Sequence, residues 1–225
     1  DLMTKEEMNE APLPYYDKNI YDKYFDGNPI PMNNLYPQAH IWSSRGCPFK
    51  CIFCVWPAAM TGNDPHGDGK RSVRQYTPDY IENFVREITG RFKFKAIYFD
   101  DDTFNIGNKH TEKMSEVMSK FNIPWFAMCR ADTSKKETWK TMSESGCQGV
   151  KLGVESGSQV VVDKIVNKHL DLKYVQEVVS YIRSLNMSVH GTFTYGLPGE
   201  TKEDMIMTKK FINDTNFSTV QESGT

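Results

Sequence analysis

Six short apolar runs, at residues 39–42, 96–99, 125–128, 150–152, 189–193 and 217–220, punctuate this chain, and stretches with helical period separate them. The segment "TPDYIENFVREITG" places Tyr80, Ile81, Phe84, Val85 and Ile88 on one helical face, with Thr77 as N-cap and Pro78 in the first turn. "DLKYVQEVVSYIRSLN" repeats the period at Tyr174, Val175, Val178, Val179, Ile182 and Leu185. Ser134…Glu137 and Thr201…Asp204 each pair a hydroxyl with a carboxylate three residues on, the pattern of a capping box. Strands that alternate with helices pair in parallel through right-handed crossovers, so the class is α/β. No Rossmann glycine fingerprint is present. Six strand–helix units then suit an open parallel (β/α)6 partial barrel better than a doubly wound sheet.

Composition narrows the function. The net charge of −2 and pI of about 6.2 give no global basic field, so nucleic acid is not indicated. No apolar run approaches the roughly 18 residues of a membrane span, and the polar start does not read as a signal peptide. Five cysteines with three crowded together are not a secreted disulfide scaffold, which implies a reducing, cytoplasmic setting. Residues 1–36 mix Pro, Asn, Gly and aromatics without period. They read as a linker or N-terminal extension that packs on a neighbour through its tyrosines, with a short helix near 18–25. Residues 37–225 form the core domain. A start at Asp1 without an initiator Met and a stop at "QESGT" read as an internal portion of a longer protein.

In parallel α/β folds the chemistry gathers at the carboxyl ends of the strands. Here those ends carry "SSRGC", "DDDTF", "CRAD", "GVESGS" and "YGLPGET". Turns favour Gly, Asp and Ser in any case, which covers the glycines well but the arginine and the three successive acids less well.

The first of these motifs opens "GCPFKCIFC", which sets Cys47, Cys51 and Cys54 in one loop. Thiolates bind soft metals and iron–sulfur clusters. Three thiolates on a four-iron cubane leave one iron open to another ligand. A zinc site completed by Cys129, Cys147 or His66 is the alternative, although structural zinc usually draws its ligands from two spaced pairs. Buried free thiols are the third reading. Cys129 and Cys147, widely spaced, read as small buried hydrophobes. His66 lies in a glycine-rich loop and reads as solvated, and the phase of His190 on the fifth run is not readable if that strand is buried on both faces.

"CPFKCIFC" resembles the C-x3-C-x2-C loop of the radical S-adenosylmethionine superfamily, including the aromatic residue before the last cysteine. "IYFDDDTF", "RAD", "GVESGS" and "GLPGET" are similar, in the same order, to the branch that often carries a cobalamin-binding domain, and "LPYYDKN" to the linker after that domain. The resemblance covers residues 38–225. It implies a [4Fe-4S] cluster on Cys47, Cys51 and Cys54, and S-adenosylmethionine cleaved reductively to a 5′-deoxyadenosyl radical. A flavodoxin- or ferredoxin-like electron donor is implied as partner. A cobalamin-dependent methyltransferase is the function it suggests, with cobalamin held by a domain outside this chain. The alternatives are a cobalamin-independent radical enzyme on a peptide, lipid or nucleic-acid substrate, and a non-catalytic zinc-stabilised binding module.

By the same resemblance Phe53 lies near the adenine, and one of Asp100, Asp101 and Asp102 meets the methionine ammonium, with Asp102 and Thr103 the preferred pair. Glu155 and Ser156 contact the ribose or the ammonium, and Gly196 packs beside the adenine. A glutamate ending an apolar strand is costly unless paired, which independently singles out Glu155. Arg130 pairs with the methionine carboxylate, orients Glu155, or makes a rim ion pair. No residue is assigned the hydrogen transfer, and the substrate is not identified.

Overall fold

Six strands run parallel in the order in which the chain forms them. In a computed structural model, residues 2–23, 35–55 and 72–225 are described, so His66 and its loop lie outside the described residues. The strands are β1 (Gln38–Ile41), β4 (Ala96–Phe99), β5 (Trp125–Cys129), β6 (Cys147–Glu155), β7 (Ser188–Tyr195) and β8 (Thr219–Gly224). Every neighbouring pair in the order β1-β4-β5-β6-β7-β8 is parallel. The order never reverses, and β1 and β8 remain the two edges, which makes the sheet an open partial barrel. Two further strands, β2 (Ser44–Arg45) and β3 (Arg74–Gln75), form an antiparallel ribbon directly after β1.

Helices α2 (Pro78–Arg91), α3 (Asn108–Met118), α4 (Lys136–Glu144), α5 (Leu172–Ser184) and α6 (Lys202–Asp214) follow β3, β4, β5, β6 and β7 respectively. Their apolar stripes bury Phe84, Met114, Trp139, Val179 and Phe211 against the outer face of the sheet. Full burial of each such side chain contributes roughly 1.5–3 kcal/mol. Trp125, also fully buried, donates its indole N–H to Ser145 O at 3.0 Å, so the ring's polar edge is satisfied.

Helix starts follow the expected chemistry with one correction. Thr77 caps α2 by accepting from Tyr80 N, with Pro78 next. Thr201 and Asp204 form a reciprocal capping box on α6. Ser134, however, does not cap α4: that helix begins at Lys136 with Lys135 as N-cap, and no side chain bonds there. Ser134 Oγ instead sits 2.9 Å from Asn105 Nδ2, in a network that also holds Arg130 N and O.

The N-terminal segment packs on the core. Tyr16 and Tyr21 lie against Phe92 and Phe94 with ring centroids 5.1 to 5.9 Å apart, and Tyr16 donates to His40 O at 2.7 Å. The expected helix near 18–25 is, among the described residues, only a 3-10 turn at Tyr21–Lys23. A helix absent from the sequence reading, α1 (Lys5–Glu10), carries a full capping box from Thr4 and Glu7.

Candidate active site

All strands of a parallel sheet end at one edge, so residues far apart in sequence meet there. Cys47, Cys51 and Cys54 line one cavity of about 180 Å³, together with Phe49 and Phe53 of the same loop. Its other walls are Asp102 and Thr103 after β4, Arg130 after β5, Gly153 and Glu155 of β6, and Thr192 of β7. Lys168, from the segment before α5, closes one side.

The cysteine loop is held at both ends. At its entry Gly46 has φ +94°, and its N–H donates to Asp102 Oδ2 at 2.8 Å. Further on, Ile52 N–H donates to Val166 O at 3.0 Å, and Asn167 Nδ2 donates to Lys50 O at 3.0 Å. Val166 and Asn167 are presented by a single π-helical turn, Val161–Ile165, a local form that frequently occurs at functional sites.

Glu155 sits on a β-bulge, where the register with β7 shifts between Gly153 and Glu155, and its φ is +75°. The bulge turns its carboxylate to Lys168 Nζ at 2.8 Å. A Cβ on Gly153 would lie 2.7 Å from Glu155 Oε1 and 2.9 Å from Lys168 Nζ, so a hydrogen there makes room for the ion pair. Arg130 does not orient Glu155. Its guanidinium makes two bonds to Asp132, at 2.5 and 2.9 Å, and one to Lys168 O at 2.6 Å, and it lies 3.7 Å over the Phe49 ring.

The three acids after β4 divide their work. Asp100 lies 3.9 Å from His40 near the surface. Asp101 is buried and bonded to Ser43 and Ser44. Asp102 faces the cavity, and Thr103 Oγ1 donates to Asp102 O while lying 3.6 Å from Cys47 Sγ. Two expected site residues are turned elsewhere. Ser156 Oγ meets Thr208 Oγ1 of α6 at 3.0 Å and accepts from Ser158 N, and Gly196 N–H donates to Glu200 Oε2 at 2.7 Å. Neither lines the cavity. Lys168, Gly153 and Phe49 were not singled out by the sequence reading, and the only sequence signal for Lys168 is the need of Glu155 for a cation.

The donor set suits a soft, multi-iron group. The three loop thiols share one cavity wall; Cys129 lines the same cavity from β5 but is almost wholly buried, and Cys147 is buried outside it. Burial pushes the Cys147 thiol up to about 12 and the Cys129 thiol well above its ordinary value. Cys51 is also raised by burial, but the positive charges of Lys168 and Arg130 pull it back towards the thiolate. Among the described residues, no three His, Cys, Asp or Glu side chains are placed to hold a single metal ion.

Comparisons with known proteins identify the family. An uncharacterized methyltransferase of Pyrococcus horikoshii is 29% identical over 91% of this chain and 41% of its own length. The cytidylyl-2-hydroxyethylphosphonate methyltransferase of Streptomyces wedmorensis is 26% identical over 94% of this chain and 40% of its own length. The chain thus spans about two-fifths of these relatives. Among solved structures, the radical S-adenosylmethionine methyltransferase TsrM of Kitasatospora setae, with cobalamin and a [4Fe-4S] cluster bound, has the same fold. It superposes with a TM-score of 0.71 at 14% identity, over 83% of this chain and 34% of that one. The model of the radical SAM superfamily matches residues 43–212, from the serine that opens the cysteine loop to the last turns of α6, and the chain belongs to that superfamily.

Proposed function

We propose that this chain is the radical domain of a cobalamin-dependent methyltransferase, with a [4Fe-4S] cluster on Cys47, Cys51 and Cys54 and S-adenosylmethionine beside it. The observation that carries the reading is the shared cavity: three loop thiols opposite two acids and two cations at one sheet edge. When bound, the cluster supplies the electron that cleaves S-adenosylmethionine to methionine and a 5′-deoxyadenosyl radical.

The chain's residues bind and orient. Asp102 and Glu155 offer carboxylate oxygens to the methionine ammonium and the ribose hydroxyls. Lys168, paired with Glu155, and Arg130, held by Asp132, present positive charge to the methionine carboxylate. Phe53, 47% exposed on the loop, offers a flat apolar face to the adenine. Ser156 and Gly196 act from behind, by fixing the turns that follow β6 and β7.

Methyl transfer is the reaction class favoured by the names of the two relatives above, and cobalamin by the TsrM structure; the proposal places cobalamin on a separate domain. A flavodoxin- or ferredoxin-like donor is the proposed electron source. No helix among the described residues is long and apolar enough to cross a membrane.

Anaerobic reconstitution with iron and sulfide tests the central claim. With a strong reductant, the loaded chain is expected to release 5′-deoxyadenosine and methionine slowly without substrate. A loaded, reducible chain that binds S-adenosylmethionine and releases neither product would overturn it. The coding sequence upstream of Asp1 tests the cobalamin part, which fails if no cobalamin-binding domain is encoded there.

A further inference from the structure

Asp101 is the most thoroughly enclosed acid at the site edge, with 2% of its surface exposed, yet it faces away from the cavity and lines none of it. Its Oδ1 accepts from Ser44 Oγ at 2.6 Å and Ser43 Oγ at 2.8 Å, and both its oxygens are 3.1 Å from Ser43 N. Ser43 gives its one hydroxyl proton to Asp101, so Ser43 Oγ accepts from His110 Nε2 at 3.1 Å, which fixes the imidazole tautomer. Helix α3 is thereby tied through Ser43 to the end of β1.

The two residues that follow continue the pattern. Asp102 holds Gly46 N, and Thr103 touches Cys47. Three consecutive residues after β4 therefore grip three successive points on the path into the cysteine loop. The first grip gathers the most bonds, since Ser43 and Ser44 converge on one buried carboxylate while Asp102 and Thr103 make a single contact each on that path. The carboxylate's charge also reaches the cavity wall: it helps raise the thiol of Cys129, which lines that cavity.

We infer that Asp101 is a positioning residue for the cysteine loop. It fixes where Cys47 presents its sulfur, and its negative charge lowers the electron affinity of the cluster held there. The inference rests on the cluster reading of Cys47, Cys51 and Cys54, and its first readout does not. In the metal-free chain, Asp101→Ala removes every acceptor and should raise the alkylation rate of Cys47 by about tenfold, the scale of losing a buried charged hydrogen-bond acceptor. Asp101→Asn keeps the shape and one acceptor while removing the charge. It should alkylate within about threefold of wild type, since one good acceptor survives.

The second readout uses the reconstituted chain. Asp101→Asn should retain iron and shift the cluster's midpoint potential to a less negative value, because a buried negative charge near the site has gone. A merely structural aspartate would leave that potential unmoved in any variant that still loads. Ser44→Ala, which removes one donor and no charge, should leave the potential at its wild-type value. Wild-type alkylation of Cys47 in Asp101→Ala overturns the positioning role, and an unshifted potential in loaded Asp101→Asn overturns the charge role. If wild type itself takes up no cluster, the cluster reading fails, and the alkylation result still decides whether Asp101 positions the loop.

Discussion

Lys168 Nζ lies 2.8 Å from Glu155 Oε1, and the two side chains are only 10% and 11% exposed. Their closeness depends on the β-bulge at Glu155 and on Gly153 having no side chain, so one pair unites three local peculiarities of the chain. Lys168→Met leaves a buried carboxylate without its cation, and Glu155→Gln leaves the converse. Each is expected to cost roughly 3–5 kcal/mol of stability, as breaking a buried pair does, and to weaken S-adenosylmethionine binding. The double variant should be more stable than either single one. Urea unfolding of the three variants checks this, and additive single costs would refute the coupling.

Gly153→Ala separates binding from folding. Its new methyl would press on the terminal atoms of Glu155 and Lys168, which can shift together with their bond intact, and would make an ordinary contact with Thr192 Oγ1 at 3.7 Å. Thermal unfolding should stay within a few degrees of wild type, a shift of about 1 kcal/mol or less. S-adenosylmethionine affinity, measured calorimetrically on the loaded chain, should fall about tenfold, as a misplaced charged pair would produce.

Gly46→Ala acts on the backbone instead. A Cβ there would lie 2.4 Å from Ser72 O, at a φ of +94° that side chains rarely adopt. The cost should exceed the roughly 1–3 kcal/mol of an unfavourable φ alone. Iron retention after gel filtration should drop while far-ultraviolet circular dichroism keeps the α/β signature. Normal iron content would show that the turn tolerates a side chain.

Cys47→Ala, Cys51→Ala and Cys54→Ala should each abolish stable cluster binding, because each removes one of three protein thiolates. Cys129→Ala and Cys147→Ala should hold near-normal iron, although burial makes each cost about 1 kcal/mol of packing per small group removed. Iron and sulfide analysis decides between them, and loss of the cluster from Cys129→Ala would reject the three-ligand set.

Stability against pH carries opposing contributions from Asp101 and His110, which meet at Ser43, and from His190 on β7. Burial depresses His110 and His190 to about 4, so both stay neutral when folded and take up protons on unfolding below their ordinary value of 6.5. Their contribution is present at neutral pH and lost as pH falls from 6.5 towards 4. Burial raises Asp101 from 3.8 to about 6, so its contribution is full below 3.8 and is lost as pH rises through 6. Between pH 4 and 6 the aspartate offsets one histidine. Asp101→Asn should therefore steepen the rise of unfolding free energy with pH by up to about 1.4 kcal/mol per pH unit, and His110→Gln should flatten it equally. Urea titrations across that window test the sign.

Much of this architecture was readable from period and punctuation. The run at 96–99 became β4 without change, and the Thr77 and Thr201 caps lie where hydroxyl, proline and acid spacing put them. β6 is longer than its apolar run because Gln148, Gly149 and Gly153 flank that run in a strand that nonetheless pairs on both sides. Ser134 misled because a capping pattern describes a local option, and Asn105 offered its hydroxyl a tertiary partner. Helix α1 was missed although Thr4 and Glu7 carry the very box sought elsewhere, since six mostly polar residues show no period. At the strand ends, the cysteines and acids stood out because three thiols within eight residues and three acids in a row are more than a turn needs. Lys168 did not, because a lysine on a surface and a lysine folded inward look the same in a sequence.

The cysteine loop is gripped at its entry by residues 43–46 bonding to Asp101 and Asp102, and further along by Val166 and Asn167. Every one of these bonds lies within the polypeptide. Small zinc domains that are unfolded until metal arrives gain their order from the ion. Here part of the loop's order comes from the chain's own bonds, which tie the loop to the end of β4 on one side and to the π-helical turn on the other, so a change in either element is felt at the cysteines.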